Sequence, residues 1–169
     1  MPKRSFSALL QAAARQRAHA YAPYSGFRVG AALRAGGRVF AACNVENSAY
    51  PLSVCAERNA VAMAVAAGAR AIDAVAIVGG EGRPAAPCGG CRQVLAEFCA
   101  PEVPVVYASA DGEAVETTVG ELLPAAFGPR DLKEAAAGST RTRPAKPTRA
   151  APGTGRSSAR ARGTRSTGR

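Results

Sequence analysis

Apolar and polar positions divide the first part of the chain into one helix-like and two strand-like segments. Residues 5–20 place Ala and Leu at helical spacing behind the capping signal Ser5-Phe6-Ser7, which predicts a first helix. Residues 27–34 and 38–45 read as strands on either side of Ala35-Gly36-Gly37, a glycine-containing connection typical of a hairpin. The chain is therefore predicted to begin with a helix followed by a β-hairpin.

Helices and strands are predicted to alternate after the hairpin. A helix over 54–67 ends at Gly68, and the continuous apolar run over 72–78 is typical of a buried strand. The remaining elements are a helix over 88–98, strands over 103–108 and 115–119, and short helical turns over 121–127 and 131–137. This order favours an α/β fold in which helices cover a sheet.

Positive charge is concentrated at the C-terminal end of the chain. Residues 135–169 contain eight Arg and one Lys without any Asp or Glu, so residues 1–134 carry only +1 of the formal net charge of +10. The same segment lacks Val, Leu, Ile, Met and aromatic residues, and cannot offset an ordering entropy of about 1–2 kcal/mol per residue. We predict a catalytic domain over 1–134 and a disordered basic tail over 135–169. The tail is either inert or a weak, non-specific contact for polyanions.

Composition also limits the compartment in which the protein works. No apolar run approaches the roughly 18 residues that a membrane span requires. Five cysteines are an odd number, which suits a reducing compartment better than a secreted disulfide framework. The basic N-terminus is not followed by the apolar region of a secretory signal. These features predict a cytoplasmic protein.

Two short cysteine-containing segments carry the strongest chemical signal. Cys55-Ala56-Glu57 and Pro87-Cys88-Gly89-Gly90-Cys91 each lie at the predicted N-terminus of a helix, where exposed N–H groups favour an anionic sulfur. Thiolates are preferred zinc ligands, so we predict a zinc ion held by Cys55, Cys88 and Cys91. Three protein ligands are typical of a catalytic zinc, because a structural zinc is normally closed by four.

A fourth cysteine ligand remains an alternative at this stage. Cys99 would lie about 12 Å beyond Cys91 on a continuous helix, which disfavours it. Spacing does not exclude Cys43, although a cysteine at the end of a strand is usually a packing residue. The single histidine, His19, is predicted to be a surface or half-buried residue at the end of the first helix.

Both segments resemble the zinc nucleobase deaminases, which carry a His- or Cys-x-Glu segment followed by Pro-Cys-x-x-Cys. More narrowly, the chain is similar to the small all-cysteine cytidine deaminases from about residue 5 to residue 132. The matching segments are residues 21–27, 44–51, 55–58, 87–93 and 121–127. The resemblance implies a three-layer α-β-α fold with a central mixed sheet, one Zn²⁺ per subunit, and a homotetramer with shared active sites.

The resemblance also implies a reaction, the hydrolysis of cytidine and 2'-deoxycytidine to uridine and 2'-deoxyuridine with release of ammonia. Zinc-bound hydroxide is expected to attack C4 of the base, with Glu57 as the proton shuttle. Arg58 is implied to bond to a zinc-bound cysteine, and Arg92 is a second candidate for such a bond. The alternatives are a deaminase of modified cytosine nucleosides, of the blasticidin S type, and a non-catalytic zinc module that binds nucleic acid through the tail.

Substrate contacts are assigned by the same resemblance. The residues concerned are Phe27, Asn44, Val45, Glu46, Asn47, Ser48, Ala49, Tyr50, Ala56 and Phe127. Asn44 and Glu46 are expected to bind the ribose, and Phe27 to pack against the base. The backbone of Ala56 is expected to hold the base carbonyl, while Tyr50 and Phe127 act across a subunit interface.

Overall fold

A five-stranded sheet with helices on both faces makes up the computed structural model, which describes residues 4–138. The helices are α1 (Arg4–Arg17), α2 (Ala56–Ala66), α3 (Gly89–Phe98), α4 (Val119–Leu122) and α5 (Pro129–Gly138). The strands are β1 (Val29–Ala35), β2 (Arg38–Cys43), β3 (Ala74–Gly79), β4 (Pro104–Ala108) and β5 (Ala114–Thr118). Their order is β2-β1-β3-β4-β5, with β3 and β4 parallel and the other neighbours antiparallel.

Alternation along the strands separates the core into two layers. On β1, Ala31 and Leu33 belong to the core that α2 and α3 cover, whereas Ala32 packs with Leu9 and Ala13 of α1. The parallel pair β3 and β4 is connected through α3, as parallel strands require a crossover. The predicted three-layer α-β-α fold with a mixed sheet is confirmed.

Helix α1 approaches the sheet closely because the sheet face beneath it consists largely of very small residues. Ala32, Ala74 and Ala76 are completely buried on this face. At Gly30, an added Cβ would lie 1.9 Å from the carbonyl oxygen of Ala13 and 2.5 Å from the nitrogen of Arg17. A glycine at position 30 is therefore a condition for the packing of α1.

Replacing Gly30 with Ala is expected to lower the free energy of unfolding by about 1–3 kcal/mol, because the new methyl group must displace helix backbone. Urea denaturation measures the change. Gly90→Ala is the matched control, since its Cβ would meet nothing within 4 Å and α3 gains helix propensity. Equal stability of Gly30→Ala and the parent protein would contradict the close approach of α1.

Most predicted elements are present, with shifted ends. The hairpin turns at Gly36 and Gly37, which have φ values of 56° and 75°. The predicted helical turn over 121–127 was wrong: α4 begins at Val119, behind a capping box formed by Thr118 and Glu121. It ends before Pro124, because helical backbone geometry is disfavoured for the residue that precedes a proline. The short 3₁₀ helix Tyr50–Leu52 was not predicted.

The C-terminal boundary of the folded part needs a correction. Residues 135–138, assigned to the disordered tail by composition, form the last turn of α5. The remainder of the predicted tail, residues 139–169, lies outside the described residues. Between residues 4 and 138, the helices are all too short or too polar to cross a bilayer.

Candidate active site

The N-termini of α2 and α3 bring three cysteines together beneath one end of the sheet. Cys55 and Cys88 are the N-cap residues of the two helices, and Cys91 lies in the first turn of α3. Neither N-cap side chain makes a capping hydrogen bond, so both sulfurs are available to another partner. The three Sγ atoms lie within 4.8 Å of one another, and those of Cys55 and Cys88 are 4.0 Å apart.

This sulfur cluster fits a zinc ion. Tetrahedral coordination at about 2.3 Å from each sulfur requires sulfur–sulfur distances of roughly 3.8 Å, so shifts below 1 Å would bring all three into contact. Within residues 4–138, these three cysteines are the group of side chains able to hold a metal ion, and Cys43 and Cys99 lie outside it. Cys99 is instead buried in the core between α3 and the sheet.

Hydrogen bonding among the sulfurs shifts the pKa values of Cys55 and Cys91 in opposite directions. The bond with Cys91 lowers the pKa of the Cys55 thiol to about 6, despite partial burial, and the positive charge of Arg58 acts in the same direction. The same bond and burial raise the pKa of Cys91. The protein therefore stabilises a thiolate at Cys55, the form that binds metals.

Glu57 is a buried carboxylic acid beside this cluster. It lies in the first turn of α2, and only 5% of its surface is exposed. Burial raises the pKa of the Glu57 carboxyl, and the nearby Cys55 charge adds to the increase, although a backbone N–H partly opposes it. A raised pKa makes the carboxylate a stronger proton acceptor than a free one, which suits a proton shuttle.

A cavity of about 250 Å³ opens onto Glu57 and two of the sulfurs. Its walls include the predicted residues Phe27, Asn44, Glu46, Cys55, Ala56, Glu57 and Cys88. The structure adds Ser25, Val29, Ile77, Ala85 and Ala86, which sequence reasoning did not single out. The cavity is large enough for a small molecule. Its walls bring together the Glu57 carboxyl group, two of the sulfurs, and the polar side chains of Asn44 and Glu46, which follow the end of β2.

Asn44 and Glu46 shape the cavity wall through hydrogen bonds to its backbone. The Asn44 amide accepts from the N–H of Val29 at 2.8 Å and donates to the carbonyl of Phe27 at 2.9 Å. The Glu46 carboxylate accepts from the backbone N–H groups of Tyr24 and Ser25 and from the Ser25 hydroxyl. The bond from the Ser25 hydroxyl is the main cause of the lowered pKa of Glu46, which is therefore ionised at neutral pH.

The other predicted contacts on this loop do not line the 250 Å³ cavity. Val45 forms backbone bridges with Tyr21 and Val54, and Asn47 accepts a bond from the backbone of Ala49. Ser48 is an exposed loop residue.

Tyr50 and Phe127 are also placed outside this cavity. Tyr50 is 71% exposed and lines a neighbouring cavity of about 300 Å³, which shares Ser25 and Glu46 with the first. Phe127 is 60% exposed, and its carbonyl accepts a bond of 2.7 Å from Gln93 of α3. Two large aromatic side chains are therefore held at the surface of the single chain.

The two arginines predicted to bond to cysteine sulfur donate hydrogen bonds to backbone carbonyls. Arg58 donates to the carbonyl of Ser53 at 2.8 Å, and its buried Nε has no hydrogen-bond partner. Arg92 donates to the carbonyls of Pro87 at 2.8 Å and Leu122 at 3.1 Å. Arg92 thus positions the residue directly before Cys88, and Arg58 acts on Cys55 through its charge.

Comparison with known proteins explains this arrangement. Residues 3–107 match the family model of the cytidine and deoxycytidylate deaminase zinc-binding region. The matched segment contains the three cysteines and Glu57. The chain belongs to this deaminase family.

Individual relatives match along nearly their whole length. The deaminase is 48% identical over 129 residues to a cytidine deaminase of Sporosarcina psychrophila, covering 76% of this chain and 95% of the relative. It is 42% identical over 133 residues to a cytidine deaminase of Mycobacterium tuberculosis, covering 78% and 96%. A crystal structure of cytidine deaminase from Burkholderia pseudomallei superposes with a TM-score of 0.69 at 48% identity, covering 75% and 100%.

The family and the structure agree on the metal of this deaminase. The matched region is a zinc-binding region, and the structure places three thiols of that region in one cluster. Soft thiolate donors at this spacing suit Zn²⁺. The cofactor of the deaminase is zinc.

Proposed function

We propose that the protein hydrolyses cytidine and 2'-deoxycytidine to uridine and 2'-deoxyuridine, with release of ammonia. The observation that carries this proposal is the position of Glu57, buried in the same cavity as Cys55 and Cys88. The relatives named above are cytidine deaminases, which supports the choice of substrate. A non-catalytic zinc module would have no use for a buried acid at an open cavity.

Zinc held by Cys55, Cys88 and Cys91 would supply a Lewis acid that makes water acidic near neutral pH. Glu57 takes the proton from water and delivers it to N3 of the cytosine ring. A C4–O bond forms, and Glu57, which has given up its first proton to N3, takes the remaining proton from the new C4 hydroxyl group. Glu57 passes this second proton to the amine, and the C4–N bond breaks as the C4 carbonyl forms. One water is consumed and one ammonia leaves, so Glu57 ends in its starting state.

The remaining walls of the cavity orient the nucleoside. Glu46 and Asn44 offer acceptor and amide groups at one end, where they suit the hydroxyl groups of the sugar. The N–H of Ala56 is at the first position of α2, where it lacks an intrahelical partner and can bond to the carbonyl at C2. Phe27 covers the base from the opposite wall.

We also propose that the active protein is a homotetramer. Four large apolar side chains are at least 60% exposed in the single chain, although burial would stabilise them. They are Tyr50, Leu52, Phe127 and Leu132. In an assembly these residues would contact neighbouring subunits. Tyr50 and Phe127 would then complete the nucleoside cavities of those neighbouring subunits. Analytical ultracentrifugation tests this assignment, and a monomer with full activity would contradict it.

Cytoplasmic localisation and the tail complete the proposal. All five cysteines are free in the structure, which suits a reducing compartment. Residues 139–169 carry nine basic residues and no acidic ones, so the tail is suited to weak contacts with polyanions.

Purified zinc-loaded protein is expected to convert both nucleosides to their uracil forms with equimolar ammonia. Chromatography of the nucleosides and an ammonia assay measure the reaction. Deleting residues 139–169 should change kcat/KM by less than about twofold, because the cavity walls that the structure describes come from residues 25–88. Absence of turnover in protein with one zinc per chain would refute the proposed reaction, and loss of turnover on deletion would assign the tail a catalytic role.

A further inference from the structure

The segment that carries Phe127, residues 123–128, joins α4 to α5 and is bonded to α3 at two places. At its start, Arg92 of α3 donates to the carbonyl of Leu122 at 3.1 Å. Near its end, the side-chain amide of Gln93 donates to the carbonyl of Phe127 at 2.7 Å. The reaction steps proposed above give Gln93 no role.

The bond from Gln93 has little other packing to support it. A cavity of about 470 Å³ lies between α3 and this segment, and its walls include Ala96 and Cys99 of α3 together with Phe127 itself. Apolar contact between the segment and the helix is therefore incomplete. Within residues 4–138, the segment 123–128 makes one side-chain hydrogen bond to α3, and Gln93 supplies it. The position of the Phe127 backbone consequently depends on Gln93.

Phe127 lies at the opposite end of α3 from the metal ligands of its own chain. Cys88 is the N-cap of this helix, whereas Phe127 shares a cavity with Ala96 and Cys99 near the C-terminal end. At 1.5 Å per residue, Ala96 is about 12 Å beyond Cys88 along the helix axis. The ring also lies outside the walls of the 250 Å³ cavity. It is therefore better placed for a site on another chain than for its own.

We propose that Gln93 is a positioning residue that holds Phe127 for the active site of a neighbouring subunit. This inference rests on the proposed function and on the proposed homotetramer. The amide of Gln93 fixes the backbone of Phe127 before the aromatic ring meets its neighbour. Because Gln93 follows Cys91 by two residues on α3, the same helix holds the zinc of its own chain and an aromatic wall for the next chain.

The expected effect of Gln93 is on nucleoside binding. A ring that is already held in place adds to binding without a further cost of ordering its segment. Loss of one neutral hydrogen bond shifts an equilibrium by about 2–12-fold. Phe127 is proposed to contact the bound nucleoside and not the reacting atoms, so the loss should fall on KM and leave kcat nearly unchanged.

The first test replaces Gln93 with Met, which has a similar length and helix propensity but no donor. We expect KM for cytidine to rise about 2–12-fold, with kcat nearly unchanged and one zinc per chain. Gln93→Glu keeps the shape of the side chain, also loses the donor and should behave in the same way. Gln11→Met, at an exposed position on α1, is the matched control and should leave KM unchanged.

A double substitution tests whether Gln93 acts through Phe127. Phe127→Ala removes the ring and should raise KM by itself. Adding Gln93→Met to that protein should raise KM no further, because the ring that Gln93 positions is then absent. An equal increase with and without the ring would overturn the proposal, since a general effect on folding would act in both backgrounds.

Mixed tetramers test whether Gln93 acts across subunits. Glu57→Gln chains keep Gln93 but lack the proton shuttle, while Gln93→Met chains keep the shuttle. Coexpression of the two chains with different affinity tags allows mixed tetramers to be purified. These should contain sites with the KM of the parent protein, because a correctly held Phe127 of one chain then completes the cavity of an active neighbour. A KM equal to that of Gln93→Met alone would place the effect within one chain and overturn the proposal.

Two further results would count against Gln93 while leaving the reaction intact. One is an unchanged KM in both Gln93→Met and Gln93→Glu. The other is a monomeric parent protein that deaminates cytidine, which would refute the assembly and the role of Gln93 together. Failure of the proposed function is distinct, because the parent protein with one zinc per chain would then not deaminate cytidine at all.

Discussion

Replacing Glu57 with Gln is expected to lower kcat for cytidine by about 10³–10⁴-fold. General acid–base catalysis contributes 10²–10⁴-fold for a single transfer, and Glu57 is proposed to act in more than one. Gln has nearly the same shape but cannot accept or return the proton. Nucleoside turnover at saturating cytidine measures the loss, and KM should change much less than kcat because the cavity keeps its form.

The controls separate catalysis from folding. Zinc content should remain at one per chain, because Glu57 is not part of the sulfur cluster. Thermal stability should be retained or increased, since a buried carboxyl with a raised pKa is costly to ionise. Glu116→Gln, on the exposed surface of β5, is the matched control and should leave kcat unchanged. Full activity of Glu57→Gln would eliminate the shuttle assignment.

Replacing Cys91 with Ala is expected to abolish stoichiometric zinc binding and reduce activity below detection. The sulfur cluster consists of Cys55, Cys88 and Cys91, so the variant leaves only two sulfurs to hold the ion. Because Cys91 is completely buried, solvent cannot easily supply a replacement ligand at its position. Zinc at a thousand times its Kd stabilises a folded protein by about 4 kcal/mol, and the variant should lose a stabilisation of this order. Metal analysis and thermal unfolding with and without added zinc measure both effects.

Cys43→Ala provides the comparison, because Cys43 is half-buried and lies outside the cluster. It should retain one zinc per chain and the activity of the parent protein. Treatment of the parent protein with a strong chelator should reproduce the loss seen for Cys91→Ala, and zinc should restore activity. A Cys91→Ala protein that still binds one zinc tightly would show that the ligand set is wrong.

The layers of the fold could be predicted because the spacing of apolar residues and the positions of Gly and Pro indicate the same helices and strands along most of the chain. The run over 72–78 has an apolar residue at nearly every position, as a strand covered on both faces should, and β3 is completely buried. Local signals were weaker near residue 121. There the capping box at Thr118 sets the start of α4, and Pro124 prevents its continuation.

The chemistry of the site was easier to predict than its supporting contacts. Thiols at two helix N-termini follow from spacing, because a Cys-x-x-Cys segment brings its own sulfurs together. The contacts of Arg92 with Pro87 and Leu122 depend on the packing of α3 against α4, which no local pattern encodes. Ser25 was missed for the same reason, since its bond to Glu46 joins residues 21 positions apart.

The placement of cysteines as N-caps has a consequence for the apoprotein. The N-cap position of a helix is usually filled by a residue whose side-chain oxygen accepts a hydrogen bond from a free backbone N–H group. In α2 and α3 this position is a cysteine, and neither cysteine side chain accepts such a bond. One zinc ion would keep three sulfurs as thiolates at these two N-termini, and the net negative charge of that cluster would oppose the positive ends of both helix dipoles. Its departure would favour fraying of both first turns, in which case amide exchange there would report metal occupancy more directly than melting of the whole domain.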